Sequence, residues 1–134
     1  MLEDLQQAWA SYKQLFGATV HLSLKRGFKD YGQEGQMRLY AHALEKEPLP
    51  KAQLLMLRRH EKDYIIRKDT VYARQFFKLL NTIRAQHPLT PHLTDLMNQY
   101  ESGFRQLIQT DARLGLTSYT GLRGEVYQLT QTVE

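Results

Sequence analysis

The sequence predicts an all-α fold, an antiparallel up-down four-helix bundle in which one helix is broken near Pro48 and Pro50. Apolar residues recur at intervals of three and four over most of the chain, which is the spacing of one helix face. No stretch of six residues alternates between apolar and polar side chains, as a half-buried strand would. The length of 134 residues is usual for one domain, so we expect residues 1–134 to form a single helical bundle.

The first helix is predicted for residues 2–26. Its apolar stripe follows the helical spacing and consists of Leu2, Leu5, Trp9, Tyr12 and Phe16. Gly27 can adopt the left-handed conformation in which helices often end. We therefore expect the helix to stop there and the segment 27–35, GFKDYGQEG, to be a loop.

A short second helix is predicted for residues 35–47, and a long helical region begins near Lys51. The stripe of the short helix consists of Met37, Tyr40 and Leu44. Pro48 and Pro50 break the helical pattern, because proline lacks the amide hydrogen and restrains the residue before it.

The apolar face of the long region continues past the middle of the chain. Asp69 or Thr70 is expected to cap a new turn. The face then continues through Tyr72, Phe76, Leu79 and Ile83. After the segment QHPLTP, Thr90 and Pro91 are a typical N-cap and first-turn pair for another helix, to about residue 114. A last helix is predicted to begin near Gly124.

Two segments share a spacing that suggests an internal repeat. The first contains Tyr12, Phe16 and Gly27 and then runs from Gly35 to Glu45, and the second contains Tyr100, Phe104 and Gly115 and then runs from Gly124 to Glu134. Identities are few, and any two amphipathic helices share some spacing. The matched glycines favour a pseudo-repeat of two helix–loop–helix units on either side of a central helix.

Composition excludes several classes of protein. Without cysteine there is no disulfide, no thiolate nucleophile and no thiolate-ligated zinc. The net charge of +4 comes from interspersed charges, so we expect no nucleic-acid partner. No run of 18 apolar residues occurs, and the first residues lack signal-peptide features. The helical pattern is in phase from Leu2 to Glu134, so we expect a domain taken from a longer protein.

The most charged stretch is LRRHEKDYIIR, residues 57–67, in which six ionisable residues follow one another. His60 and Asp63 share a helix face and could supply two metal ligands, but neighbouring arginines repel a cation. We therefore expect no metal. No Gly-x-Ser-x-Gly, phosphate loop or paired-carboxylate signature is present, so we expect neither an enzyme nor a cofactor.

Arginines in this stretch suit an anion, because a guanidinium clamps a carboxylate with two parallel hydrogen bonds. Arg59, Asp63 and Arg67 lie at i, i+4 and i+8, so they form either a structural salt-bridge row or part of an anion site. Two more arginines, Arg38 and Arg123, lie beside the glycine pairs GQEG and GLRG near predicted helix starts, as anion contacts or as solvated surface. The candidate anion-binding residues are Arg58, Arg59, Arg67, Tyr64, Arg38 and Arg123.

The stretch 57–67, followed by Tyr72 and Phe76, closely resembles a signature of extracytoplasmic sensor domains in bacterial methyl-accepting chemotaxis proteins, of the helical bimodular or a related four-helix-bundle type. Tyr64 stands where that family usually has phenylalanine. The segments 32–45 and 121–134 are similar to the flanking family pattern, with substitutions at Gln33, Tyr127 and Gln131. The resemblance covers about residues 12–134.

The resemblance implies a periplasmic domain of an inner-membrane protein, placed between two transmembrane helices and forming a homodimer. It also implies binding of a small molecule, an anionic organic acid, that shifts the connected helices. Full bimodular domains are nearly twice as long, so we expect a single or trimmed bundle, in which the usual ligand site is either retained, altered or absent. The alternatives are the sensor domain of a histidine kinase or diguanylate cyclase, and a structural helix bundle without a ligand.

Overall fold

The computed structural model describes residues 2–27, 31–115 and 121–133, without the side chains at 123, 127 and 130–133. The described residues form helices and short links, with no strand among them, so the all-α prediction is confirmed. The helices are α1 (Leu2–Arg26), α2 (Gly32–Glu45), α3 (Lys51–Arg67), α4 (Thr70–Gln86), α5 (Pro91–Leu114) and α6 (Gly121–Val133). The expectation of four main helices is thus replaced by six in the described part of the chain.

The ends of α1 and α5 lie where the sequence predicts them. Helix α1 ends at Arg26, and Gly27 follows with a φ of +77°. Helix α5 begins at Pro91, where the side chain of Thr90 accepts a hydrogen bond from the amide of Leu93 at 3.1 Å. Local signals of this kind act within one turn and need no tertiary contact.

The long helical region predicted after Lys51 is two helices, because the chain reverses between α3 and α4. Lys68 takes a left-handed conformation with a φ of +56°, and Asp69 caps α4 by accepting from the amide of Val71. At the other end of the pair, Gln53 near the start of α3 donates to Gln86 at the end of α4, at 3.0 Å. The two helices therefore run in opposite directions.

Helix α2 packs along α5, also in the opposite direction. At one end Thr110 donates to Gln33 at 2.7 Å, and at the other Nε2 of His92 lies 3.2 Å from Oε1 of Glu47. Helix α2 begins at Gly32, so part of the expected loop 27–35 is helical.

Two glycine turns join α1 to α2 and α5 to α6. Gly27, Gly32, Gly115 and Gly121 all have positive φ angles. A Cβ on Gly32 would lie 2.7 Å from the Cα of Gly27, and one on Gly121 would lie 2.8 Å from the Cα of Gly115. Because real Cβ atoms do not approach so closely, glycine is required at both contacts.

The hydrophobic core is built by α2, α3, α4 and α5. Its centre is a group of edge-to-face aromatic rings, in which Phe76 lies 4.4 Å from Phe104 and 5.0 Å from Tyr100 between ring centres. Tyr64 adds a further ring at 5.4 Å from Phe104. No residue of this buried cluster comes from the described parts of α1 or α6.

The predicted stripe of α1 is largely exposed. More than half of the surface of Leu2, Leu5, Trp9 and Phe16 is accessible, although their spacing is that of a buried face. Trp9, Tyr12 and Phe16 stack along the helix, with 5.6 and 6.0 Å between successive ring centres. None of the helices in the described ranges combines the length and apolar character that a membrane crossing requires.

Candidate functional site

Part of the charged stretch of α3 faces the interior of the protein. Leu54, Leu57, Glu61 and Tyr64 are buried and follow the 3-4-3 spacing of a helix stripe, so Glu61 occupies an apolar position. Arg58 is also buried, with 8% of its surface exposed. Two opposite charges, one turn apart, are therefore removed from water on the same helix.

Arg58 is incompletely partnered. Its Nη1 lies 3.5 Å from Oε2 of Glu61, and its Nε lies 4.0 Å from Oε1 of the more exposed Glu45. Among the described side chains, Nη1 of Arg58 is the one buried nitrogen or oxygen that has no hydrogen-bond partner. A buried donor without an acceptor costs about 1–3 kcal/mol, and more when it is charged. An acceptor supplied from outside would remove this cost.

Among the described side chains, the hydroxyl of Tyr100 donates a hydrogen bond to Oε2 of Glu61. Burial raises the pKa of Glu61, while Arg58 and the Tyr100 hydroxyl act in the opposite direction. Burial and the adjacent carboxylate also raise the pKa of Tyr100, so its hydroxyl stays protonated and remains a donor.

A small cleft of about 150 Å³ opens between α2 and α3 at this point. Its lining contains three cations, two carboxylates and two isoleucines, namely Arg38, Arg58, Lys62, Glu34, Glu61, Ile65 and Ile66. The volume equals that of about five liquid waters, so the cleft suits an anion of a few heavy atoms. Cationic walls with an apolar side fit a small carboxylate better than a bare inorganic ion.

A larger groove lies between α2 and α5, with a volume of about 440 Å³. Its lining is uncharged and consists of Gly32, Gln33, Gln36, Tyr40, Gln99, Ser102, Gly103 and Gln106. It offers hydrogen bonds but no cation. The cleft between α2 and α3 is therefore the better site for an anion, although it is smaller.

A second charged cluster surrounds Asp111 near the end of α5. Its Oδ2 accepts from the hydroxyl of Tyr64 at 2.9 Å and from Nζ of Lys68 at 3.2 Å, and Arg26 donates to its other oxygen. Burial lowers the pKa of Lys68, against the pull of Asp111, and raises the pKa of Tyr64, where Asp111 adds to the effect. One carboxylate thus joins α1, α3 and α5.

Glu34 connects this cluster to the cleft. Its side chain lines the cleft, and its Oε2 lies 2.9 Å from Nη1 of Arg26. Burial alone would lower the pKa of Arg26, but Asp111 and Glu34 outweigh it, so that pKa is raised and the guanidinium stays charged. A change in charge within the cleft therefore acts directly on Glu34, and Glu34 is paired with Arg26, the last residue of α1.

The structure brings two of the six candidate anion-binding residues together, because Arg38 and Arg58 both line the cleft. Arg59 and Arg67 are exposed, and the guanidinium of Arg67 lies 5.6 Å from the ring centre of Tyr72. Tyr64 is buried against Asp111, outside the cleft. The side chain of the sixth candidate, Arg123, is outside the described residues.

The predicted row of Arg59, Asp63 and Arg67 makes no ion pair. No nitrogen–oxygen distance of 4.0 Å or less joins these three residues, all of which the structure describes. The ion pairs of this stretch belong to Arg58 and Glu61, on the inward face. The two faces differ because the apolar stripe, and not the pairing of charges, decides which side of α3 turns inward.

Sequence reasoning missed the roles of Glu34, Glu61 and Asp111. For two of them a signal was present: Glu61 interrupts the stripe of α3, and Asp111 interrupts the stripe that Leu107 and Leu114 continue in α5. A carboxylate at an apolar position needs a partner. The pairing of Glu34 with Arg26 depends on how α1 meets α2, which no local pattern reveals.

No group of three or more histidine, aspartate or glutamate side chains within the described ranges is placed to hold a metal ion. His60 is half-buried, and its pKa is lowered, first by burial and then by Arg59, against the effect of Asp63. In comparisons with known proteins, no protein-family model, no curated protein and no solved structure matches the chain.

Proposed function

We propose that this chain is a sensory domain of a bacterial membrane receptor, which binds a small organic anion in the cleft between α2 and α3. The observation that carries the proposal is Arg58: its guanidinium has one buried nitrogen without a hydrogen-bond partner, and its side chain lines a cleft together with Arg38 and Lys62. Such a cation already bears the desolvation cost of binding, and its contact with Glu61 at 3.5 Å does not complete a hydrogen bond.

The cleft fits a small carboxylate in particular. The planar fork of Arg58 accepts a carboxylate through parallel hydrogen bonds, and Arg38 and Lys62 add positive charge at the rim. Ile65 and Ile66 can cover a short hydrocarbon part. Glu34 and Glu61 limit the total negative charge that the cleft accepts, which favours ligands with one or two carboxylates.

Binding in this cleft has a short route to α1. An anion repels Glu34, and Glu34 shares Arg26 with Asp111 at the end of α1. A ligand shifts an equilibrium only through different interactions with its two states, and the pairing of Arg26 is the contact that would differ. We infer that the signal leaves the domain through α1 and its partner helix α6.

The finer architecture belongs to the same proposal. The core is formed by α2, α3, α4 and α5, and the opposite directions of α2–α5 and α3–α4 favour an up-down bundle of these four helices. Exchanging α1 with α5 and α2 with α6 preserves the pairing of helices, since α1 contacts α6 and α2 contacts α5. The two glycine turns correspond under the same exchange, which favours the pseudo-repeat.

The exposed stripe of α1 supports a homodimer. Six large apolar residues on this helix are exposed, namely Leu2, Leu5, Trp9, Phe16, Val20 and Leu24. A contiguous apolar helix face is typical of an interface. A second copy would cover it if the α1 helices of two chains packed together, and in a receptor this would place the α1 and α6 helices of both chains side by side.

The place of the domain in the cell and its output rest on the resemblance of residues 57–67 to chemotaxis sensor domains. We propose a periplasmic position in an inner-membrane protein with flanking transmembrane helices, and output to a chemotaxis signalling complex. The same domain would serve a histidine kinase or a diguanylate cyclase equally well. The cytoplasmic sequence of the full-length protein decides between these outputs.

Binding is tested by thermal unfolding and calorimetry with acetate, malonate and succinate. At a hundred times its dissociation constant, a bound anion stabilises the fold by about 2.7 kcal/mol, which raises the melting temperature of a domain of this size by roughly 10 °C. In Arg58→Gln we expect about tenfold to a hundredfold weaker binding, because a charge-assisted hydrogen bond is lost.

The matched control is Arg59→Gln, since Arg59 is the neighbouring arginine, carries the same charge and is exposed outside the cleft. Its affinity should stay within about twofold of the wild type, and circular dichroism verifies that both variants are folded. If none of the three anions stabilises the wild type, the chain is better described as a structural bundle without a ligand.

A further inference from the structure

Glu61 and an incoming anion need the same partner. Oε2 of Glu61 lies 3.5 Å from Nη1 of Arg58, the nitrogen that has no hydrogen-bond acceptor. With Glu61 ionised, the guanidinium is already partly neutralised, and a second anion on it would lie beside a buried carboxylate of the same charge. Two like charges at such a distance in a poorly solvated site cannot both be accommodated without strong repulsion.

The surroundings of Glu61 leave one way to relieve this repulsion. The titratable and charged groups that face it come from three helices: Arg58 and Lys62 from α3, Tyr100 from α5, and Glu34 and Arg38 from α2. Glu34 is already committed to Arg26 and adds negative charge. Of the two cleft carboxylates, Glu61 has the longer ion pair, 3.5 Å to Arg58 against 2.9 Å between Glu34 and Arg26, and is therefore the one that takes up a proton more readily.

We propose that an anion enters this cleft together with a proton, which the carboxylate of Glu61 takes from solvent. The inference rests on the proposed anion-binding function. The balance is simple: the anion adds one negative charge, the proton adds one positive charge, and the sum of charges in the cleft is unchanged. The ligand class is therefore a small anion that is taken up together with one proton, and the protein holds that proton.

The direction of the pH dependence follows from this coupling. Burial already raises the pKa of Glu61 in the free protein, and a bound anion raises it further. Affinity for the anion therefore increases as pH falls through the pKa of the bound state. It becomes constant below the pKa of the free state, where Glu61 is protonated before the anion arrives.

Nitrate is the sharpest probe, because it is planar like a carboxylate and stays an anion over the whole pH range used. Titrations at constant ionic strength should give up to about tenfold tighter binding per pH unit within the window, which is the slope of one coupled proton. Calorimetry in two buffers of different ionisation enthalpy should show uptake of up to one proton per nitrate.

In Glu61→Gln the repelling charge is absent, so nitrate should bind more tightly than to the wild type near neutral pH, with little dependence on pH. The matched control is Asp63→Asn, on the same helix and outside the cleft, which should keep the pH dependence of the wild type. If Glu61→Gln does not fold, Tyr100→Phe serves instead. It removes the donor that holds Glu61 ionised and should move the window to higher pH.

Nitrate binding that is independent of pH in the wild type overturns the coupled proton and leaves the proposed function standing. A pH dependence that survives in Glu61→Gln also overturns it, since the proton then belongs elsewhere. Absence of nitrate and carboxylate binding at every pH, in the wild type and in Glu61→Gln, overturns both the coupling and the anion site.

Discussion

Two carboxylates, Glu61 and Asp111, occupy apolar positions in the helix stripes of this protein. They differ in how far their charge is balanced by neighbouring groups. Asp111 receives hydrogen bonds from Tyr64, Lys68 and Arg26, so its charge is balanced. Glu61 accepts a hydrogen bond from the hydroxyl of Tyr100. It also lies 3.5 Å from a guanidinium nitrogen of Arg58, without a completed hydrogen bond between them. The first arrangement suits a fixed structural role, and the second suits the proposed response of Glu61 to a ligand.

Asp111→Asn should destabilise the fold by about 3 kcal/mol, because two partly buried cations, Arg26 and Lys68, lose the buried carboxylate that they share. Urea unfolding measures the change in the free energy of unfolding. Asp95→Asn is the matched control, since Asp95 is exposed on the same helix, and its effect should be within about 0.5 kcal/mol. Equal effects of the two substitutions would show that the cluster around Asp111 contributes little.

At this scale the sequence predicts what depends on near neighbours. The cap at Thr90 and the glycine that ends α1 are local and were predicted correctly. The pairing of charges in α3 was not, because rows of charge at i and i+4 occur on any face of a charged helix. Only the apolar stripe through Leu54, Leu57 and Tyr64 indicates which face is buried, and it selects Glu61 over Asp63.

Helices α1 and α5 carry the same kind of apolar stripe and use it differently. In α5 the stripe is buried at the centre of the core, whereas much of the stripe of α1 is exposed. The difference comes from position, since the buried cluster draws on α2, α3, α4 and α5. The exposed apolar face of α1 is the surface on which we propose that a second copy packs.

Removing apolar area from this face should weaken self-association. In the double variant Leu5→Ser, Phe16→Ser we expect the dimer dissociation constant to rise at least tenfold, by sedimentation measurements over a range of concentrations. Trp9, the single tryptophan of the chain, lies on the same face and reports association through its fluorescence. Leu39→Ser is the control, because Leu39 is equally exposed on α2. A wild type that stays monomeric at every concentration would contradict the dimer.

The reversal between α3 and α4 shows why element boundaries are harder to predict than element type. The apolar face continues across residues 68 and 69, so periodicity alone indicates one helix. Lys68 adopts a left-handed conformation that lysine rarely takes, and its ammonium group reaches Asp111, 43 positions along the chain. The turn is thus supported by a tertiary contact, which local sequence patterns do not predict.

The whole molecule has two parts. The core of α2, α3, α4 and α5 contains the cleft, and α1 packs mainly with α6 outside the buried cluster. The parts meet at Arg26, which binds Asp111 on α5 and Glu34 on α2. In the proposed function, a ligand in the cleft influences α1 through the partly buried guanidinium of Arg26.

Glu34→Gln should separate binding of the anion in the cleft from the effect of that binding on α1. Nitrate or acetate should still bind, and more tightly, because one negative charge leaves the cleft. Hydrogen exchange of α1 amides should change on binding in the wild type and change much less in the variant. Glu101→Gln is the control, since Glu101 pairs with Arg84 and Arg105 away from the cleft. An unaltered response in Glu34→Gln would show that the signal takes another route.

The site as a whole could be predicted only in part. Arginines suited to an anion were evident from the sequence, and Arg38 and Arg58 do lie together. Their meeting depends on the packing of α2 against α3, and the roles of Glu34 and Glu61 depend on it too. Such contacts arise between helices, and helical periodicity says nothing about which helices become neighbours.

The close approach of Glu47 and His92, 3.2 Å apart, has a mechanical consequence. The chain leaves α2 and returns to α5 at nearly the same point, so the α3–α4 hairpin begins and ends in one place. A force transmitted from α1 through α2 and α5 to α6 can bypass the hairpin, because α2 and α5 contact each other directly. The cleft lies between α2, which is on this path, and α3, which is not, so the proposed anion would connect α2 to a hairpin that otherwise carries none of the force.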